Sequence, residues 1–179
     1  MNFIKKINNI YFNLSGFEVS QHDKDKVKRL GCVPTYGELV PHSIKLIKND
    51  INTLFKNKKI IFYDLGSGSG KSLLTLGLLK NFKKLYGVEL SNERHNMAVK
   101  ALNKYKTSYD NKLNNVELIN DDIFNVDISD GDVFFISNLC FGNAINKLLI
   151  YQLAQPLLRT ATYYSLATLY PSPQAEGST

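Results

Sequence analysis

A short apolar run that ends in closely spaced glycines is the feature that most restricts how this 179-residue chain can fold. Ile60–Leu65 is predicted as a strand and the leucine-rich segment Ser72–Phe82 as a helix. The connecting segment Asp64–Gly70 has the sequence DLGSGSG. A strand that turns through glycines into a helix brings bare backbone and a helix N-terminus to one place, where a polar ligand can approach closely. The sequence therefore predicts an α/β protein with a ligand site at this turn.

From residue 58 onward, short apolar runs alternate with longer amphipathic segments. This alternation is typical of parallel strands joined by crossover helices, and it predicts a doubly wound, mostly parallel, Rossmann-like sheet. Asp132–Ser137 is apolar without alternation, as expected of a central strand covered on both faces. The other predicted elements of this region are the strands Leu85–Leu90 and Val116–Ile119 and the helix Glu93–Tyr105.

The length of the chain allows one domain with one sizeable core. We expect residues 1–57 to form an N-terminal helical segment, with a helix near His42–Phe55 and a loop that covers the site. Residues 58–170 form the predicted core, and residues 171–179 a disordered tail. Ala161–Leu169 predicts one more strand, which Pro171 and Pro173 end. The final hairpin usual in this architecture then has no room, so the C-terminus is either incomplete or an unusual last strand.

Two other nucleotide-binding loops are excluded by one residue each. A Walker A loop needs a glycine five positions before Gly70, ahead of Lys71, and Leu65 stands there. A dinucleotide fingerprint that starts at Gly66 needs a glycine where the chain has Lys71. The remaining pattern, Gly-x-Gly-x-Gly after an acidic residue, is typical of class I methyltransferases and makes Gly66, Gly68 and Gly70 predicted cofactor contacts. From the loop alone, a purely structural turn stays open.

Acidic residues follow the strands in the order that an adenosine ligand needs. Glu89, 19 residues after Gly70, can accept hydrogen bonds from both ribose hydroxyls at the topological switch point of the sheet. Asp122 can accept from the adenine amine while Ile123 covers the ring. Asp64 can hold the ammonium group of a methionine moiety. Because these charges are acidic and no phosphate needs neutralising, the predicted cofactor is S-adenosylmethionine, a sulfonium that also carries an ammonium.

The segment after the fourth strand has the form Asn-x-x-aromatic, which suits an amine as methyl acceptor. The Asn138 side chain can accept a hydrogen bond from the nucleophilic nitrogen, and the Phe141 ring can stabilise the charge that develops. A lysine amine must first lose its proton, which costs about 4.6 kcal/mol at pH 7 from a pKa of about 10.4. An apolar channel lowers that cost. We predict Tyr36, Asn138 and Phe141 as the catalytic residues along this channel; a helix-initiating turn with a core phenylalanine is the alternative.

Composition restricts the partners of the chain. A formal net charge of +6 and a pI near 9.2 favour anionic partners such as nucleic acid, nucleosomes or acidic protein surfaces, unless lysine is simply abundant in the source proteome. No apolar run reaches the roughly 18 residues that span a bilayer, and a secretory signal is not expected. The two cysteines lack partners at ligand spacing, so no metal is predicted. We expect an intracellular protein, nuclear or cytoplasmic.

Five motifs together resemble the disruptor-of-telomeric-silencing, or DOT-type, family of histone lysine methyltransferases over about residues 33–142. The motifs are TYGE at Thr35–Glu38, FYDLGSGSG at Phe62–Gly70, GVE at Gly87–Glu89, DDI at Asp121–Ile123 and SNLCFG at Ser137–Gly142. The resemblance implies a class I methyltransferase with S-adenosylmethionine as cofactor. It also implies a lysine acceptor in a protein substrate, either a histone within a nucleosome or another protein.

The resemblance further assigns a role to each matching residue. It implies that Thr35 and Tyr36 form a loop over the cofactor and that Asp64 and Gly66 contact its methionine end. Glu89 would bind the ribose, and Asp122 and Ile123 the adenine. Asn138 and Phe141 would lie at the border between the cofactor and the lysine channel. The family usually has Gln, Phe and Asn where this chain has Lys71, Ile123 and Ser137. It also has a large helical N-terminal region and a basic extension that this sequence does not contain, so proteins other than histones stay open as substrates.

Three functions are compatible with the sequence. The first is a protein-lysine methyltransferase, indicated by the upstream TYGE loop together with Asn138 and Phe141. The second is a nucleic-acid amine methyltransferase, because Asn-x-x-aromatic also suits adenine and the chain is basic; a Pro-Pro pair would favour it, and Leu139-Cys140 stands there. The third is a degenerate subunit that binds the cofactor but has no working acceptor site.

Overall fold

The computed structural model describes residues 2–29, 31–33, 36–56, 58–137, 141–157 and 162–165. The helices within them are α1 (Phe3–Ile10), α2 (Gln21–Arg29), α3 (Pro41–Phe55), α4 (Lys71–Leu79), α5 (Asn92–Ser108) and α6 (Asn143–Leu157). The strands are β1 (Ile61–Leu65), β2 (Lys84–Val88), β3 (Val116–Ile119), β4 (Val133–Ile136) and β5 (Thr162–Ser165). Short 3₁₀ turns lie at Asn111–Leu113 and Ile123–Asn125.

The five strands form one parallel sheet in the order β3-β2-β1-β4-β5. The last residue of β1, Leu65, pairs with Val88 of β2 on one side and with Ile136 of β4 on the other. The chain moves outward from β1 to β3 and then returns to the other side of β1 for β4. The predicted doubly wound sheet is confirmed, and its topological switch point lies at the carboxyl end of β1, where such sheets bind ligands.

Each face of the sheet is covered by helices because strand side chains alternate between the two faces. On one face, Phe62 and Leu85 join a core with apolar residues of α1, α3, α4 and α5. On the other, Leu65 and Ile136 pack with Leu153 of α6. All five residues of β1 are buried, as expected for the central strand of a parallel sheet.

Helix α2 was not apparent in the sequence because it has no apolar stripe. Its buried residues are Val27 and Asp23. The Asp23 carboxylate accepts hydrogen bonds from the Ser91 hydroxyl and, at 3.2 Å, from the Asn92 backbone N–H. On the same helix, the Lys26 ammonium donates to the Leu90 carbonyl at 2.8 Å. Polar contacts thus hold α2 against the turn that follows β2.

The predicted element boundaries differ from the observed ones mainly at helix ends. β3 spans the predicted residues, and β5 lies inside the predicted Ala161–Leu169. Helix α4 ends at Leu79 because Lys80 is extended, although Phe82 beyond it is buried. The proposed tail at 171–179 lies outside the described residues, and the domain limits stay a prediction. In the described residues, no helix is long and apolar enough to cross a membrane.

Candidate cofactor and methyl-acceptor site

The glycine loop after β1 turns its N–H groups toward the protein rather than toward the pocket. Gly66 and Ser67 donate to the Val88 carbonyl at 2.9 and 3.0 Å, and Gly70 donates to the Ser67 carbonyl at 2.9 Å. Gly68 donates to the Glu89 carboxylate at 2.7 Å. These four N–H groups are therefore used within the protein and are not available to a ligand.

Glycine is required in this loop by both conformation and space. Gly66, Gly68 and Gly70 all have left-handed φ angles, of 92°, 56° and 74°. A Cβ at Gly68 would lie 2.6 Å from the Tyr36 ring, and one at Gly70 would lie 2.9 Å from the Ala98 side chain. Gly68 therefore lies against the Tyr36 ring, which covers the pocket, whereas Gly70 directly precedes α4 and packs on α5.

Glu89 follows β2 and is buried, with 7% of its surface exposed. One carboxylate oxygen accepts from Gly68 N–H at 2.7 Å and the other from Ser91 N–H at 2.8 Å. Burial raises the pKa of the Glu89 carboxyl; the two backbone donors and the nearby Arg94 cation oppose that rise. Each oxygen keeps a second lone pair, so the side chain can still accept two hydroxyl groups of a ribose.

Asp64, the fourth residue of β1, is a buried acid with a different environment. Its surface is 3% exposed, and its carboxylate accepts no hydrogen bond within the described part of the chain. Burial, with a smaller contribution from the negative charge of Glu89, raises the pKa of Asp64 to about 7. A buried carboxylate without a partner is costly. A ligand cation such as an ammonium group would remove that cost.

Tyr36 lies in the loop before α3 and covers the glycine loop. Its hydroxyl donates to the Glu38 carboxylate at 2.9 Å and is 2.7 Å from the Ser69 hydroxyl. Glu38 also forms an ion pair with Lys71 at 2.7 Å. Burial raises the pKa of the Tyr36 phenol, so the hydroxyl stays protonated at neutral pH. The role that fits this geometry is holding the cover closed.

Arg94 joins the cover to the ribose side of the pocket. This residue of α5 is 6% exposed, its guanidinium lies 4.8 Å from the centre of the Tyr36 ring, and its Nε donates to the Gly16 carbonyl at 3.1 Å. The Phe17 ring packs edge-on against Tyr36 at 4.8 Å. Three distant chain segments therefore meet at one tyrosine.

Asp122 and Ile123 form the predicted adenine side of the pocket. The Asp122 carboxylate caps the short turn after it by accepting from Phe124 N–H at 3.0 Å, which leaves its second oxygen for a ligand. Ile123 is half-buried, and its carbonyl accepts from the Gln152 amide of α6 at 3.1 Å. This hydrogen bond holds the predicted adenine side of the pocket against α6.

Phe141 lies at the opposite end of the pocket, beyond β4. Its Cζ would lie 3.8 Å from a Cβ at Gly66, so the ring borders the predicted methionine end of the ligand. The backbone of Phe141 forms an isolated antiparallel bridge with Cys32. This bridge joins the segment upstream of Tyr36 to the segment that follows β4. Apolar residues that line the cavity include Val27, whose carbonyl accepts from Cys32 N–H at 3.3 Å, and Ile145, together with the exposed Val33.

These residues surround a single cavity of about 280 Å³, close to the lower end of the range of about 300–1,000 Å³ usual for small-molecule sites. The predicted site residues that line it are Tyr36, Asp64, Gly66, Gly68, Glu89, Asp122, Ile123 and Phe141. Gly70 does not line the cavity. Thr35 and Asn138 lie outside the described residues. Within the described part of the chain, no group of His, Cys, Asp and Glu could hold a metal ion.

The sequence did not indicate some residues of the site. Arg94 is one of them, because a buried arginine resembles any other helical arginine in a sequence. Its position shortly after Glu89 is the only available signal. Phe124 also lines the cavity, directly after the predicted Ile123. In the sequence, Lys71 is only a departure from a motif. In the structure, its ion pair with Glu38 holds the loop that contains Tyr36 against α4.

The pocket has the charge distribution that S-adenosylmethionine requires. Asp64 and Glu89 are buried acids, and Asp122 is partly exposed at the same pocket. The cations among its described lining residues are Lys71 and Arg94, and Lys71 is paired with Glu38. Asp64 would hold the ammonium of the cofactor, and Glu89 its ribose. The residues present therefore fit this cofactor.

Comparison with known proteins agrees with this geometry. A profile of the family described as histone methylation protein DOT1 matches residues 19–174, which is most of the chain. The sequence has no significant match among proteins of curated function. The structure resembles a candidate RNA methyltransferase from Pyrococcus horikoshii, with a TM-score of 0.59 and 14% identity, over 91% of this chain and 72% of that one.

Two further structures were solved with the cofactor or its product. The magnesium protoporphyrin IX methyltransferase of Synechocystis with bound S-adenosylmethionine has a TM-score of 0.53 at 14% identity, over 86% of this chain and 71% of that one. A methyltransferase of Thiobacillus denitrificans in complex with S-adenosylhomocysteine has a TM-score of 0.51 at 19% identity, over 78% of this chain and 52% of that one. This chain thus spans about half the length of the Thiobacillus protein. At these identities the similarities establish the fold, that of class I S-adenosylmethionine-dependent methyltransferases.

Proposed function

The chain belongs to the DOT1 histone methylation family and is an S-adenosylmethionine-dependent methyltransferase, and we propose that its acceptor is the ε-amine of a lysine in a protein. The observation that carries this proposal is the Cys32–Phe141 bridge, which brings the segment before Tyr36 and the segment after β4 together at one end of a cavity that is partly lined by apolar side chains. A methyl acceptor that enters there leaves water before it reaches the cofactor. The surroundings suit a group that must react uncharged.

A lysine amine meets that requirement only after it loses a proton. In water at pH 7 the neutral form costs about 4.6 kcal/mol, and apolar surroundings reduce this cost because they disfavour the ammonium. Val27 and Ile145 provide such surroundings. The proton leaves to solvent as the lysine enters, and no described side chain at this end is needed as a general base.

The remaining catalysis is alignment. The cofactor supplies an electrophilic methyl group on a sulfonium, and the acceptor nitrogen must approach it in line with the bond that breaks. We assign Phe141 to the wall that guides the amine, where its ring can stabilise the positive charge that develops on nitrogen. We assign Asn138 to a hydrogen bond from that nitrogen, and Tyr36 to the cover that excludes water. Thr35 is assigned to the same cover.

The test is methyl transfer from labelled S-adenosylmethionine to nucleosomes, isolated histones and total cell protein, followed by hydrolysis to amino acids. The expected result is label in N-methyl-lysine. Label that is removed by nuclease, or that appears as another methylated amino acid, would show that the acceptor is wrong. Tight binding of S-adenosylhomocysteine without turnover on any substrate would indicate a subunit that only binds the cofactor.

Two variants separate the acceptor assignment from cofactor binding. Phe141→Ala and Asn138→Ala are each expected to lower turnover at least tenfold while cofactor affinity, measured by calorimetry, changes less than about threefold. Phe124→Ala is the matched control, because that ring lines the predicted adenine side of the same cavity. Its expected defect is the reverse: cofactor binding is weaker, and turnover returns to normal when the cofactor is saturating. An equal loss of both properties in all three variants would refute the division of the site.

A further inference from the structure

A second concave surface lies at the amino ends of the strands, opposite the cofactor pocket. α3 and α4 both end there, and β1 begins there. Four lysines line it, Lys56, Lys58, Lys59 and Lys80, which together define the lysine cleft. The side-chain amides of two asparagines, Asn52 and Asn81, add further donors. The cleft has a volume of about 610 Å³ and is open to solvent.

Stabilisation of helix ends explains only part of this cluster. Lys56 and Lys80 follow the last residues of α3 and α4, where the carbonyl ends of helices favour cations. Each helix end corresponds to roughly half an elementary negative charge. Two such ends balance about one of the four ammonium groups, so a positive excess remains.

Carboxylates do not remove the rest of that excess. Lys58 pairs with Asp132 at 3.0 Å, and the same carboxylate also accepts the Ile61 N–H. Lys80 donates to the neutral Asn52 side chain at 3.0 Å. Within the described residues, no carboxylate lies within ion-pair distance of Lys56, Lys59 or Lys80. Burial and the nearby Lys48 cation lower the pKa of Lys80, as expected where positive charges are crowded.

We propose that the lysine cleft binds the phosphate backbone of a nucleic acid. Its open shape cannot enclose a small anion, whereas an extended polyanion can contact several lysines at once. Lys56 and Lys59 are exposed and can release counterions from phosphates, which is the main source of non-specific nucleic-acid affinity. The site is independent of the proposed lysine acceptor.

The position of the cleft determines what such binding can do. Because the strands are parallel, the cleft and the cofactor pocket lie at opposite ends of β1. A nucleic acid held at the cleft is therefore distant from the transferable methyl group. It acts as a tether that brings a nucleic-acid-bound substrate to the enzyme, and not as the methyl acceptor.

The experiment measures binding of a fluorescein-labelled 30-base-pair DNA duplex by anisotropy between about 50 and 200 mM salt. The test variant is Lys56→Gln/Lys59→Gln. The matched control is Lys5→Gln/Lys100→Gln, which removes the same charge from exposed positions on α1 and α5. Calorimetry with S-adenosylhomocysteine checks that both variants keep the native pocket.

Loss of two phosphate contacts lowers the slope of log affinity against log salt by about 1.8. We therefore expect the test variant to bind DNA more weakly than the wild type at 50 mM salt, by a factor that shrinks about tenfold by 200 mM. The control should stay within about twofold of the wild type. Equal weakening of both variants would overturn the proposal, because it would show an effect of net charge alone. Absence of DNA binding by the wild type at 50 mM salt would also overturn it.

Discussion

The two ends of the parallel sheet use charge in opposite ways. At the carboxyl end, Asp64 and Glu89 are buried, and each acid has its own set of neighbours. At the amino end, the lysine cleft is open to solvent, and three of its four lysines are exposed. A buried charge cannot be replaced by a neighbour, whereas exposed charges act by their number. Substitutions should therefore have large, specific effects at the first end and small, additive ones at the second.

The largest effect is expected from Glu89→Ala. The substitution leaves the Gly68 and Ser91 N–H groups without their acceptor and removes the predicted ribose contact. Charged hydrogen bonds of this kind contribute about 1.5–3 kcal/mol each, so affinity for S-adenosylhomocysteine should fall at least about 100-fold by calorimetry. The exposed Glu117→Gln should bind normally. Near-normal affinity of Glu89→Ala would refute the ribose assignment and erase the contrast between the two ends.

A smaller effect on ligand affinity is expected when a change of pH alters the protonation of Asp64. Its pKa is about 7, and a cationic ligand favours the ionised form, so the protein must release a proton to bind below that pH. Affinity for S-adenosylhomocysteine should rise about tenfold between pH 6 and pH 8. Asp64→Asn should bind more weakly and lose most of this dependence. The same dependence in both proteins would show that another group titrates.

Asp64 also predicts how the ligand-free protein responds to pH. The folded pKa of about 7 lies above the ordinary 3.8, so the folded state holds more protons than the unfolded chain between these values. The contribution of Asp64 to stability is complete below about pH 4 and is lost as pH rises to about 7. Asp64→Asn should therefore raise the melting temperature at pH 8 relative to the wild type. Similar melting temperatures at pH 8 would contradict the raised pKa.

The smallest of the expected effects comes from Tyr36→Phe. The ring stays against Gly68 and Arg94, but the hydroxyl bonds with Glu38 and Ser69 are lost. A net hydrogen bond contributes about 1 kcal/mol, so cofactor affinity should fall about fivefold, mostly through faster dissociation. Tyr109→Phe, at a distant helix end, is the control. A loss as large as that of Glu89→Ala would make Tyr36 a direct ligand contact.

The sequence predicted the sheet well because its strands are continuous apolar runs with a glycine turn at the switch point. Ile60–Leu65 and Val116–Ile119 could be located by periodicity and length alone. Helix α2 could not, because its position depends on Asp23 and Lys26, which hold it through polar contacts with distant residues. A hydrophilic segment gives no sign of where in the fold its carboxylate is buried.

The candidate site was predictable where residues lie at, or just after, the carboxyl end of a strand. Asp64 and Glu89 belong to this class, since the carboxyl ends of parallel strands meet at one edge. The cover was not predictable in the same way. The contact between Arg94 and the Tyr36 ring joins positions 58 residues apart, and nothing local in either segment indicates it.

The bridge between Cys32 and Phe141 also determines when the acceptor end can form. It closes a chain segment of more than 100 residues, and the entropy lost on closing so long a segment is recovered only after the sheet inside it exists. The acceptor end should thus assemble after the cofactor pocket during folding, and open before it in native-state hydrogen exchange. Under the proposed function, such partial opening would give a protein side chain access to the cofactor while the cofactor stays bound.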